Sequence, residues 1–194
     1  MLRRLYSAIG IVSTAAICGV WIVSAAPDYW LKVAARTNAA LAVEPLIYLG
    51  AQPNSPAIDG QALWIAALKG NSATVRALLD AGADVHAADD FALAEAAKYG
   101  RTEVVQILLE RGANIHAEDD LALRVASSAG QIETVRLLLQ AGASPHAAAD
   151  DALRWARIGG HWGIIQLLED TSRKRARDGQ LRQPADRKEN QKNL

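Results

Sequence analysis

The 194-residue chain has one cysteine, one phenylalanine, one methionine and six prolines. A lone Cys18 cannot close an internal disulfide, so cysteine usage leaves the redox compartment open. Ile17 before it is too large for a lipoprotein processing site, which makes Cys18 a lipid-facing or packing residue. Aromatic side chains are 5% of the chain. So few, among so many alanines and leucines, suit thin close-packed helix pairs better than a bulky-cored enzyme. Glycine-rich phosphate loops, CxxC, HExxH and nucleophile elbows are all missing. The formal net charge is zero, but it is unevenly spread. Residues 28–170 hold 11 Lys+Arg against 18 Asp+Glu, a net of −7, and residues 171–194 hold 8 against 3, a net of +5.

What the chain does have is a thirty-residue period. Shifted by thirty, GADVHAADDFALAEAAKYGRTEVVQILLERG (82–112) falls on itself. Gly82, Gly112 and Gly142 coincide, each followed by alanine, as do His86, His116 and His146, and Leu63, Leu93, Leu123 and Leu153. The glycines Gly70, Gly100, Gly130 and Gly160 keep the same step. A fixed period of this size specifies stacked units in place of one globular core. Within a unit, Leu93, Ala96 and Ala97 share one helical face, and Val104, Val105, Leu108 and Leu109 share another. A glycine stands where each run ends, at the left-handed position past a helix terminus. Each unit therefore reads helix, tight turn, helix, short connector. The predicted pairs are 61–69/72–80, 91–99/102–110, 121–129/132–139 and 151–158/162–169, with Ser72 and Thr102 as caps.

Residues 28–59 contain a degenerate copy. With Gly50-Ala51 set on Gly82-Ala83, Leu31 meets Leu63, Ala34-Ala35 meet Ala66-Ala67, and Leu46-Ile47 meet Leu78-Leu79. Asn38 replaces the turn glycine. Pro45 interrupts the second run, so that helix is expected to start there. The last unit departs from the pattern at Trp155, Trp162 and Gly163, as an end unit with one unpartnered face does.

GADVHA, EVVQILLERGANIHA and TVRLLLQAGASPHA, with the alanine pair Ala66-Ala67, resemble the ankyrin repeat family over residues 60–169. The resemblance implies an all-α solenoid of about five stacked helix-turn-helix repeats, and a non-catalytic role in binding proteins. Two departures stand out. The period is thirty where the family has thirty-three, so the finger between units is expected to be shortened. The family's Thr-Pro-Leu-His opening is replaced by Asp90-Phe91-Ala92-Leu93, Asp120-Leu121-Ala122-Leu123 and Asp150-Asp151-Ala152-Leu153. Aspartate is a good N-cap, and these acids are expected to start the helices.

Residues 5–26 are uncharged and follow MLRR. As a helix they would span about 33 Å, enough for a bilayer core of about 30 Å. Tyr6, Tyr29 and Trp30 stand at the ends, where interfacial aromatics belong. Residues 1–27 are thus expected to be a single-pass anchor, with a cleaved signal peptide as the alternative because Val23-Ser24-Ala25 suits a peptidase. Arg3, Arg4 and the amino terminus outweigh Lys32 and Arg36, which Asp28 offsets little, and this bias is expected to place the repeats on the extracytoplasmic side. Residues 171–194, basic and almost free of apolar side chains, are expected to be a disordered tail.

The recurring histidines raise the question of a metal. However, equivalent side chains on neighbouring helices start about 8–10 Å apart, and Zn–N bonds are about 2.0–2.1 Å. Asn54 at the matching position points instead to a turn role. The acid pairs Asp89-Asp90, Asp119-Asp120 and Asp150-Asp151 recur in successive units, as scaffold does, and show no calcium-loop spacing. No metal or cofactor is expected, and the tail's basic run is read as solubilising, with no nucleic acid expected. What remains is a concave face for a protein partner, made of first-helix positions that the repeat leaves free: Trp64, Glu95, Tyr99, Arg124, Arg154 and Trp155. The reading is a membrane-tethered scaffold, with a secreted effector or inhibitor, released by cleavage after Ala25, as the alternative.

Overall fold

The computed structural model describes residues 27–54 and 61–190, with side chains as far as Asp178. Ten helices follow in order: α1 (Pro27–Thr37), α2 (Ala40–Tyr48), α3 (Gln61–Lys69), α4 (Ser72–Asp80), α5 (Ala87–Lys98), α6 (Thr102–Glu110), α7 (Ala117–Ser128), α8 (Ile132–Ala141), α9 (Ala147–Ile158) and α10 (Trp162–Asn190). Odd and even neighbours pair into five units. The first helices α1, α3, α5, α7 and α9 stack on one another, and the second helices stack alongside. Among the described residues no strand occurs.

Two leucine-rich columns explain the stacking. Leu31, Leu63, Leu93 and Leu123 are buried in the first-helix layer, and Leu46, Leu78, Leu108, Leu138 and Leu168 in the second. Fully burying such a side chain contributes about 1.5–3 kcal/mol. The alanine pairs Ala34-Ala35, Ala66-Ala67 and Ala96-Ala97 are also buried and let the first helices approach closely.

The turns are built from the same backbone bonds throughout. In the second unit Gly70 N–H donates to Ala67 O and Asn71 N–H to Ala66 O, with Gly70 at φ +79°. At the end of α4, Gly82 N–H donates to Leu79 O and Ala83 N–H to Leu78 O, the closing pattern of a helix with a left-handed glycine. In the first unit Asn38 takes the turn at φ +57°.

The structure departs from the sequence reading in four places. First, α2 begins at Ala40 and carries Pro45 inside it; the one backbone bond Pro45 cannot make would have ended on Leu41, which lies in solvent. Second, the shortened finger is replaced by a left-handed turn. Residues 88–90, 118–120 and 148–150 all have φ between +47° and +65°, and the right-handed helix resumes after the aspartate. Third, Ser72 and Thr102 occupy the first helical position, while Asn71 and Arg101 precede them as cap residues. Fourth, residues 171–190, expected to be disordered, continue α10 as helix. Arg173 pairs there with Glu169 and Asp170, and the hydroxyls of Thr171 and Ser172 donate to carbonyls four residues back. The Arg175 guanidinium donates to Leu139 O and Ala143 O at 2.9 Å each, closing the end of α8.

The proposed anchor, residues 5–26, lies outside the described residues. Among those described, no helix is long and apolar enough to cross a membrane.

Candidate binding face and the bonds that hold it

Two sets of polar bonds join each unit to the next and decide which side chains are left for other work. The first starts from the aspartates. Asp90 and Asp120 are buried, and their carboxylates do not cap their own helices. Asp90 Oδ1 accepts the Asn114 N–H at 2.8 Å, and Asp120 Oδ1 accepts the Ser144 N–H at 3.0 Å, each from the following connector. His86 Nδ1 and His116 Nδ1 close on the same carboxylates at 3.2 and 3.1 Å. Since a carboxylate only accepts, each imidazole donates through Nδ1. The histidines are therefore directed at the aspartate of their own unit and not at one another. Asp28 does the same for Gln52 N–H at 2.7 Å. The second unit has Gly60 in this register, and Asn54 serves instead, accepting Asp84 N–H and donating to Gly82 O.

The second set runs backward. The residue after each turn glycine reaches the preceding unit's first helix: Arg101 to Leu68 O, Gln131 to Lys98 O, His161 to Ser128 O, and likewise Asn71 to Ala35 O. These four side chains share only a polar head and enough reach. The turn glycine makes room for them. A Cβ at Gly130 would stand 2.7 Å from the His161 ring, and one at Gly70 2.7 Å from Arg101 Cδ.

The first-helix face shows what remains. Trp64 is half-buried and meets Phe91 of the next unit edge-on, with ring centroids 5.8 Å apart. Two units on, the same positions hold Arg124 and Asp151 at 3.5 Å, and Arg154 closes on Asp151 at 2.8 Å. Arg124 also donates to Glu118 O. Glu95 is largely covered and pairs with Lys98 at 3.6 Å. Of the six expected residues, Trp64, Glu95 and Arg124 are thus engaged between or along units. Tyr99, Arg154 and Trp155 stand open, with Lys98 over the Tyr99 ring and Arg154 over the Trp155 ring. Arg124, Arg154 and Trp155 gather with Asp151 at the C-terminal end of the face, while Trp64 and Tyr99 lie on other units. Phe91 and Asp151 were missed. The clue was available, since one register reads Gln61, Phe91, Leu121, Asp151, the variability of a position free of the core.

A family model for ankyrin repeats, described as three copies, matches residues 31–119 and 89–149. The chain belongs to the ankyrin repeat family. Ankyrin repeats generally mediate protein–protein interaction and are typically non-enzymatic. A search of the curated proteins gives no match. Within this ankyrin array the stacking positions are nearly invariant, while positions on the first helices and at their ends, such as 64, 91, 99, 124, 154 and 155, vary in chemistry.

Proposed function

We propose that the chain is a non-catalytic interaction module that takes a protein partner on its first-helix face and is tethered to a membrane by residues 5–26, with the repeats on the extracytoplasmic side. One observation carries the binding assignment: Tyr99, Arg154 and Trp155 are exposed and stand outside the packed core. Tyrosine, tryptophan and arginine are the side chains on which interface energy concentrates. The guanidinium groups of Arg124 and Arg154 outnumber the single Asp151 carboxylate between them, so this end of the face suits an acidic segment of a partner. The tether rests on the uncharged run and on its length against the bilayer core.

A photo-crosslinking residue at Tyr99, compared with one at Glu110 on α6, tests the face in cells expressing the full chain. A discrete protein adduct from position 99 that disappears with Arg154→Ala and Trp155→Ala is the expected result. Adducts of equal strength from both positions, or none from 99, refute the assignment. A mature N-terminus at Ala26 would replace the tether with secretion.

A further inference from the structure

The second helices have a regular outward stripe, and one of them breaks it. At the register of Leu41 the other units carry Ala73, Glu103, Glu133 and Gly163, and at that of Tyr48 they carry Asp80, Glu110, Gln140 and Asp170. Only α2 carries a large apolar side chain at both registers. Leu41 is 83% exposed and Tyr48 91%, with Leu49 also open. Leu41 and Tyr48 are seven residues apart, so they share one helical stripe about 10 Å long, with the exposed Glu44 between them and the buried Val43 and Leu46 on the opposite side.

The stripe's position suggests what covers it. Asp28, in the first turn of α1, holds Gln52 N–H, three residues past Leu49. Tyr48 and Leu49 therefore sit beside the point where the described chain joins the uncharged run ending at Ala26. We propose that α2 rests on the lipid surface, with Leu41, Tyr48 and Leu49 entering the headgroup boundary beside the tether. This rests on the tether proposed above.

Two other occupants fit less well. A second copy pairing stripe to stripe would bury roughly 500 Å² from three such side chains, below the roughly 800 Å² per partner of a stable interface. The run 5–26 folded back as a helix would cover the stripe with one face and leave its other apolar faces in water. A bilayer takes both, since the run inserts and the stripe lies at the surface. Holding α1 at the membrane also raises the local concentration of lipid at α2, so a short stripe is enough. Glu44 is exposed on α2, and Lys32 and Arg36 on α1 supply the opposite charge for anionic headgroups.

The test uses the full chain with Cys18→Ser and an environment-sensitive fluorophore on a cysteine introduced by Leu41→Cys or Tyr48→Cys. The controls are Ala73→Cys and Asp80→Cys, the same registers one unit on. The chains are reconstituted into phosphatidylcholine vesicles with a minority of phosphatidylglycerol. Blue-shifted emission and quenching by bromolipid at 41 and 48, but not at 73 and 80, is the expected result. Vesicle-bound chain whose probes at 41 and 48 read like the controls overturns the docking of α2 and leaves the tether standing. Chain that fails to float with the vesicles overturns both. Disulfide pairing between Leu41→Cys chains without lipid assigns the stripe to a second copy and also overturns the proposal. As a further arm, Leu41→Glu with Tyr48→Asp, which installs the acidic chemistry of neighbouring units, should leave helicity and flotation intact while abolishing the shift of a probe at Leu49→Cys.

Discussion

Asp120 and Asp150 occupy the same place in successive units, yet only Asp120 has a following connector to hold. Both lie in a left-handed turn, at φ +58° and +65°. Both face the histidine four residues earlier. Asp120 is 5% exposed and accepts Ser144 N–H, whereas Asp150 is 54% exposed and pairs with His146 alone. Replacing each by alanine removes the left-handed preference of aspartate in both cases, so that contribution cancels in the comparison. What differs is a charge-assisted bond to a covered N–H, about 1.5–3 kcal/mol with its donor then left unpaired. The exposed pair at Asp150 is the kind that contributes about 0–1 kcal/mol. Asp120→Ala should therefore lose about 1–3 kcal/mol more than Asp150→Ala. With urea slopes of about 1–3 kcal/mol per molar for small domains, the two midpoints should separate by on the order of 1 M. Far-ultraviolet circular dichroism of the full chain in a mild detergent reads this directly. Asp120→Asn, which keeps an acceptor and tolerates a left-handed turn, should stay within about 1 kcal/mol of the parent. Equal midpoints for Asp120→Ala and Asp150→Ala would show that the forward bond does not hold the units together.

Two further outcomes follow from single side chains. Ser127 Oγ is buried without a partner where the earlier units have Ala67 and Ala97, so Ser127→Ala should raise stability by about 1 kcal/mol; an unchanged or lowered melting temperature refutes this. Arg175→Ala should leave the carbonyls of Leu139 and Ala143 without their guanidinium donor, so hydrogen exchange should quicken around 142–146 and not at α3 or α5. Arg175→Lys should not restore protection, because an ammonium cannot reproduce the planar fork. Uniform exchange across the array would refute the local role.

The stacking was legible because it depends on residue type at fixed spacing. The leucine columns, the alanine pairs and the turn glycines all state their roles through size and backbone freedom. The left-handed turns were not legible. They pass through Ala88, Ala148 and Ala149, which have no preference for that conformation, and the first two are tied by bonds that Asp90 and Asp120 make twenty-four residues downstream. Positions 71, 101, 131 and 161 hold asparagine, arginine, glutamine and histidine for a similar reason, since each satisfies a carbonyl in the previous unit. Pattern within one unit does not report such bonds. On the candidate face, the side-chain types that marked Tyr99, Arg154 and Trp155 coincide with exposure in the structure. Glu95 and Arg124 look the same in sequence, and only their neighbours show them engaged. In the tail, absence of apolar residues argued for disorder, but Arg175 works through backbone carbonyls and needs no core.

Because Gln131 and Arg101 end on carbonyls of equivalent address, neither is matched to the particular block before it. Excising residues 87–116 would bring Gln131 over the Leu68 carbonyl that Arg101 now occupies, with every seam still closed. Such an array can be shortened or lengthened by whole modules through recombination, and each change resets how far the two ends stand apart and which pair of outward side chains becomes adjacent.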